Sequence, residues 1–291
     1  MRAPTPVLSM LLAVAAFAVM DACLKVLTDH YPSLQIAALR GLVSLPLVLL
    51  WIAWSGAFAR LWKVRWGLHL FRGVMSVLMM GCFVYGLRTL PLTEAYALFF
   101  VAPLLLTALS VPILGEQVGW RRWLAIAIGI LGVLYVLRPT GAGMVSLAGL
   151  AIIVAAFGYA LTAITVRVLG RTDSPQAIVF WMITMLSLFA LAAGWRDWVP
   201  VRGEHAHWLV GVAISGALGQ WAITEAFRRG EASVVAPLEY TALAWGMLLD
   251  WTLWQVMPEA RVLVGALVVA ACGVYLILRE SQLRRAAPDA E

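Results

Sequence analysis

The sequence predicts an all-α integral membrane protein: ten transmembrane helices arranged as two inverted five-helix repeats. Three observations predict it: an apolar excess in the composition, apolar runs of bilayer-spanning length along the whole chain, and a weak internal repeat. Of the 291 residues, 63% are hydrophobic and 12% charged, where an ordinary soluble domain carries about 25% charged residues. Mean hydropathy is +0.91. A soluble fold of this size has nowhere to bury that much apolar surface.

A helix crosses the hydrocarbon core in about 20 residues. Runs of that length fall at 6–27, 34–54, 66–87, 92–114, 120–137, 145–167, 175–194, 206–227, 233–254 and 260–279. The first resembles a signal peptide in following Arg2, but it is long, carries Asp21 and Lys25 and lacks a convincing cleavage site. No alternating strand pattern occurs, which excludes an outer-membrane barrel. The connections are short, the longest running from 195 to 205, and leave no room for a soluble domain.

The formal charge of +6 is spread singly or in pairs between apolar runs, without the basic stripe that nucleic-acid binding requires. Its distribution sets orientation instead. With the N-terminus inside, the inner ends hold Arg2, Arg60, Lys63, Arg65, Arg121, Arg122, Arg167, Arg171, Arg228, Arg229, Arg279, Arg284 and Arg285. The outer ends hold Lys25, Arg88, Arg138, Arg196, Arg202 and Arg261. Both termini are therefore expected in the cytoplasm. Most tryptophans sit near span ends as interfacial anchors, whereas Trp181, Trp221 and Trp245 lie deeper. Cys23, Cys82 and Cys272 each fall within an apolar run and read as packing residues rather than a disulfide framework.

The repeat appears at a shift of about 140 residues. Val14-Ala15-Ala16-Phe17 matches Val154-Ala155-Ala156-Phe157, Ser33-Leu34-Gln35 echoes Ser174-Pro175-Gln176, and Gly132-Val133-Leu134-Tyr135 resembles Gly273-Val274-Tyr275-Leu276. The halves, 1–143 and 144–291, then hold five spans each. An odd number makes the second half enter the membrane from the opposite side. Inverted repeats are characteristic of secondary transporters, with a site near the midplane where the halves meet.

Three stretches carry a family likeness. Leu87-Arg88-Thr89-Leu90-Pro91-Leu92-Thr93-Glu94-Ala95 leads into Ala102-Pro103 and Leu114-Gly115-Glu116. Ala226 to Tyr240, with Gly230-Glu231-Ala232-Ser233 and Ala236-Pro237-Leu238-Glu239, forms the second-half counterpart. Met20-Asp21-Ala22-Cys23-Leu24-Lys25, then Gln35 and Arg40, opens the chain. Together they resemble the EamA-type, ten-helix branch of the drug/metabolite transporter superfamily. The sequence departs from the pattern at Gln255-Val256, where Gly115-Glu116 has no counterpart. The resemblance implies metabolite transport across the bacterial inner membrane, with amino acids, nucleotide-like metabolites, vitamins and drugs among the family's cargoes and both import and efflux represented.

Ionisable groups within spans are costly and mark candidate functional sites. At 1.5 Å per residue, Asp21 lies roughly 10 Å from the outer end of span one and Arg40 at similar depth in span two. Lys25, one turn from Asp21, is a second partner for it. An arginine grips a carboxylate or phosphate, and an aspartate receives an ammonium or a proton. Glu239 lies about 10 Å from the inner surface, after Pro237, which breaks the helix, and beside Tyr240. Pro103 interrupts span four comparably, with Tyr96, Phe99 and Phe100 on the preceding turns. Interrupted helices in both halves point to the binding cavity.

Neutral lining candidates are Gln220, Trp221 and Thr224 on span eight, Tyr159, Thr162 and Thr165 on span six, and the aromatic surfaces of Tyr85 and Trp181. Arg72 and Glu225, near the inner surface, are a candidate gate pair; Glu94 is a gate candidate near the outer end, where Asp250 also sits. Gly216 and Gly219 are expected to permit close helix contact. His30, His205 and His207 fall in outer loops and His69 near the inner surface, so no nucleophile–base pair or metal set forms at depth. No enzyme activity, cofactor or metal is expected.

The expected protein is a secondary transporter for a small, amino-acid-like metabolite, working by alternating access in the lipid bilayer, with protons as a candidate coupling ion and a monomeric or homodimeric state. The alternative cargo is an amphiphilic cation, a nucleoside-type metabolite such as S-adenosylmethionine, or an aromatic vitamin or drug. From another class, a channel or a non-transporting membrane protein is the alternative.

Overall fold

A computed structural model describes residues 6–115, 119–137, 146–229 and 236–286. Eleven α-helices follow: α1 (Pro6–Leu27), α2 (Ser33–Ser55), α3 (Trp66–Leu87), α4 (Leu92–Phe99), α5 (Ala102–Leu114), α6 (Trp120–Leu137), α7 (Leu147–Leu169), α8 (Pro175–Gly194), α9 (Ala206–Arg229), α10 (Ala242–Trp254) and α11 (Ala260–Ala286). Among the described residues, nine spans are long and apolar enough to cross a membrane, with α4 and α5 together forming one. The tenth is the 3₁₀ turn Ala236–Thr241 continued by α10. The chain is thus an all-α membrane protein of ten spans in two inverted repeats.

The packing shows the inversion. Span one packs on span eight (α1 on α9), and span six on span three (α7 on α3). Spans two and seven (α2, α8), five and ten (α6, α11), and the α4 and α10 pieces of spans four and nine pack on each other. Replacing every span by the one five later maps this set onto itself. Every one of these interfaces joins the first half to the second, so the repeats interlock.

Helix ends follow from local sequence. Ser146 and Ser174 accept the Gly149 and Ala177 N–H groups at 3.4 and 3.3 Å, starting α7 and α8, the latter with Pro175 in its first turn. Span four breaks because Pro103 has no N–H for the Phe99 carbonyl, so α4 ends there and α5 begins afresh. α5 and α10 both end in a left-handed residue, Gly115 at φ 70° and Gln255 at φ 54°. The departure from the family pattern therefore keeps the turn's backbone and changes only its residue; Glu116 itself lies outside the described residues. α11 continues past 279 to Ala286, because helix-forming polar residues prolong it after the apolar span has ended.

Two faces follow from this topology. The terminal face carries the start of α1, the end of the apolar part of α11 and the 56–65 and 170–174 turns; the distal face carries the 28–32, 88–91, 195–205 and 255–259 turns. The glycines of α9 admit α1 closely: a Cβ on Gly219 would stand 2.9 Å from the Phe17 ring, and one on Gly216 3.1 Å from the Met20 sulfur. Packing of this kind replaces the hydrophobic drive that is absent between helices in lipid.

Candidate functional site

A carboxylate within a span needs compensation, because no water is present to solvate it. Asp21 on α1 has it from two other spans. The Tyr96 hydroxyl of α4 donates to Asp21 Oδ2 at 2.9 Å, and the Arg40 guanidinium of α2 attracts it electrostatically. Arg40 also donates to the Met80 sulfur of α3. Its side chain is half-buried.

Lys25 stands apart from this centre. Its ammonium donates to the Leu90 carbonyl, lies 5.0 Å from the centre of the Trp254 ring, and is attracted by Asp250, Asp29 and Glu94. One helical turn carries it from the Asp21 layer to the distal face, so the three residues grouped in the sequence divide into two sites. Glu94, half-buried, belongs with Lys25 and lies in the field of Arg261 and Glu259.

Glu239 occupies the 3₁₀ turn that opens span nine. Its charge acts on Tyr159 of α7 and on neighbouring Tyr240, while no basic side chain among the described residues acts on it. Rings surround this region. Phe83 meets Phe99 and Phe99 meets Tyr159, both edge-to-face at 5.5 Å, and Phe100 meets Tyr240 at 4.8 Å. Phe100 and Tyr240 are separated by the 140 residues of the repeat, so equivalent positions of the two halves meet beside both helix interruptions. Tyr159, in the middle of its span, is 40% exposed. The Tyr240 hydroxyl is buried without a partner against Gly273, where a side chain could not fit.

α4 connects the two charge centres: Tyr96 reaches Asp21, and Phe99 and the following Phe100 reach the rings around Glu239. Pro103 stands in the first turn of α5; Pro237 is the second residue of the 3₁₀ turn, its side chain outside the described residues.

Other sequence candidates lie elsewhere. The Trp181 indole donates to the Leu61 carbonyl at 2.7 Å and packs with Trp62, Trp66 and Phe180, forming an aromatic anchor at the terminal face. Arg72 donates to the Ile178 carbonyl at 2.8 Å and to the Met182 sulfur, so it binds α3 to α8; Glu225 is buried on α9. Thr162 and Thr165 spend their hydroxyls on the Tyr159 and Leu161 carbonyls of their own helix, as Thr224 does on Gln220. Gln220, Trp221 and Tyr85 are exposed and join neither charge centre. An apolar groove lined by Leu34, Val74, Leu78, Cys82 and Phe189 lies between α2, α3 and α8 and offers no polar group.

The sequence reading underweighted one carboxylate and missed two clips. Asp250 Oδ1 accepts the Leu92 N–H at 2.9 Å, and Oδ2 accepts the Thr93 N–H and hydroxyl at 2.8 Å each. The signal was Pro91: it occupies the N-cap of α4 and has no side chain to accept those N–H groups. At the terminal face, buried His69 bonds Asp173 at 2.8 Å, and Asp173 also accepts the Arg65 N–H. At the distal face, His205 bonds the Tyr31 hydroxyl at 2.8 Å, and that hydroxyl accepts the Arg202 N–H. Each histidine fastens the start of a third-position span to the first turn of the opposite repeat. Pairings across 104 and 174 residues leave no trace in local sequence.

Comparison with known proteins agrees with this architecture. The chain is 28% identical to a riboflavin transporter of Vibrio cholerae, covering 95% of this chain and 94% of that protein. It is 27% identical to the pseudopaline exporter CntI of Pseudomonas aeruginosa (91% and 94%) and 24% identical to an S-adenosylmethionine uptake transporter of Rickettsia prowazekii (94% and 92%). A solved crystal structure shares the fold at a TM-score of 0.63 and 15% identity, covering 94% of this chain and 98% of that one. The model of the EamA-like transporter family matches twice, at residues 4–138 and 146–279, and the chain belongs to that family.

Proposed function

We propose that the protein is a secondary transporter of a small, amino-acid-like metabolite, working by alternating access about the cavity between Arg40 and Glu239. One contrast carries the reading: among the described residues no basic side chain acts on Glu239, a carboxylate within a span, while Arg40 is a half-buried guanidinium whose hydrogen bond goes to the Met80 sulfur. A zwitterion satisfies both, placing its ammonium at Glu239 and its carboxylate at Arg40. When the cavity is empty, a proton on Glu239 removes the same uncompensated charge. Competition between proton and substrate for that carboxylate provides coupling. The excess of Lys and Arg on the terminal face supports a bacterial inner-membrane location with both termini in the cytoplasm.

The rings Phe83, Phe99 and Tyr159 support a second reading, in which the cargo has a flat conjugated body, as in a nucleoside-type metabolite or aromatic vitamin. The relatives named for riboflavin and S-adenosylmethionine are consistent with it, and the set includes both an exporter and an uptake transporter.

A stabilisation screen of the purified protein in detergent tests both readings. A ligand present at 100 times its Kd and binding only the folded state adds about 2.7 kcal/mol. A zwitterion is expected to raise the thermal midpoint, with the gain lost in Arg40→Ala and in Glu239→Gln. If only flat nucleosides or vitamins act, and Arg40→Ala keeps their gain, the second reading replaces the first. If no member of either class acts on protein that is otherwise folded, both readings fail.

A further inference from the structure

The first N–H groups of a helix need acceptors, and in a membrane no water supplies them. α4 begins with Pro91 at its N-cap, which offers no side-chain acceptor. The acceptor comes from the other repeat: the Asp250 carboxylate, near the end of span nine, takes the Leu92 N–H, the Thr93 N–H and the Thr93 hydroxyl. Asp250 is 1% exposed, and Leu92 and Thr93 are fully buried. A carboxylate at a helix N-terminus is also favoured by the helix dipole.

Three features make this more than a local cap. It joins α4 to α10, the pieces of the two interrupted spans that reach the distal face. α4 also carries Tyr96, so the element Asp250 fixes is the one that donates to Asp21. The contact surface is close enough that a Cβ on Gly246 would stand 2.9 Å from the Tyr96 ring and 3.2 Å from the Thr93 nitrogen. Lys25 and Trp254 close the same corner over the Leu90 carbonyl. At the other end of the interrupted spans, α5 packs on α6, α7 and α11, and the 236–241 turn packs on α1, α10 and α11. Among the described residues, no comparable interface joins α5 to that turn. The interrupted spans are thus latched at the distal face and separated towards the terminal face.

We infer that Asp250 is the positioning residue of a distal gate: its cap on α4 holds the cavity shut on that side, and the distal face opens only when the cap is released. The inference rests on reading this cavity as the transport path.

The test uses the full chain with Cys23, Cys82 and Cys272 replaced by alanine and a reporter introduced as Leu92→Cys. The rate of maleimide labelling is measured in detergent, and a second reporter, Leu61→Cys, at a buried position of the terminal-face anchor, reads loosening at that face. Adding Asp250→Ala is expected to speed labelling at position 92 at least tenfold, and Asp250→Asn, which keeps one acceptor oxygen, by severalfold, without a rise at position 61. Equal acceleration at both positions is local unfolding and overturns the inference, as does an unchanged rate at 92. Should Asp250→Ala fail to fold, Thr93→Val removes a single hydrogen bond and is expected to raise labelling at 92 in the same direction by a smaller factor. No rise in that folded variant also overturns the inference. The reading beneath it fails separately: if labelling at 92 rises while the parent shows no ligand-induced stabilisation and no transport in liposomes, the gate stands and the transport path does not.

Discussion

Asp21 and Glu239 are the same functional group at similar distances from opposite faces, yet their surroundings differ. Tyr96 and Arg40 compensate Asp21, whereas Glu239 has rings around it and, among the described residues, no cation acting on it. Neutralising them should therefore have opposite effects on the empty protein. Asp21→Asn leaves half-buried Arg40 without its counter-charge and should lower the thermal midpoint; Glu239→Gln removes an uncompensated charge and should leave the midpoint equal or higher. Thermal unfolding in detergent compares them. Asp173, in the turn before α8, gives a pH prediction. Burial works against its charge, but hydrogen bonds from Thr172, His69 and the Arg65 N–H outweigh that and hold its carboxyl below the usual range. A depressed carboxylate stabilises fully above its unfolded pKa of about 3.9. That contribution is lost as pH falls through the lower native value. The gap in midpoint between the parent and Asp173→Asn should therefore close as pH falls below about 4.

At the scale of elements, helix ends carry information that hydropathy does not. Gln255 ends α10 at φ 54°, where its counterpart Gly115 ends α5 at φ 70°. A left-handed conformation costs an L-residue roughly 1–2 kcal/mol that glycine avoids. Gln255→Gly should accordingly stabilise by about 1 kcal/mol, read as a higher midpoint, while Gly115→Gln should lower it by a similar amount. The α1–α9 contact gives the opposite case: Gly219→Val drives a branched side chain into the Phe17 ring, an overpacking expected to cost about 1–3 kcal/mol. All ten spans were legible in the sequence to within a few residues, because the length of an apolar run is set by bilayer thickness. The interruption of span four was legible from Pro103. The capping of α4 by Asp250 was legible only as a missing acceptor.

At the scale of the molecule, the two halves interlock, and Phe100 and Tyr240 meet at equivalent positions. A short bifunctional thiol reagent should therefore join Phe100→Cys to Tyr240→Cys, keep the halves together after cleavage at a protease site inserted between 138 and 146, and stop transport. Halves that separate after cleavage would contradict this central contact.

The sequence by itself determined the class of protein, the number and limits of its spans, the inverted repeat and the residue types carried at depth. Each follows from a local rule: solvation by lipid, helix rise per residue, or the backbone chemistry of proline and glycine. Tertiary structure alone decided which charges compensate each other. It separated Lys25 from Asp21, added Tyr96 to the Arg40 that matching depth had already offered Asp21, left Glu239 with no cation acting on it among the described residues, moved Trp181 to the terminal-face anchor and set Asp250 on α4. The reason is physical: a partner's attraction depends on distance through space, and groups that meet here, such as Tyr96 with Asp21 and Leu92 with Asp250, are 75 and 158 residues apart in sequence.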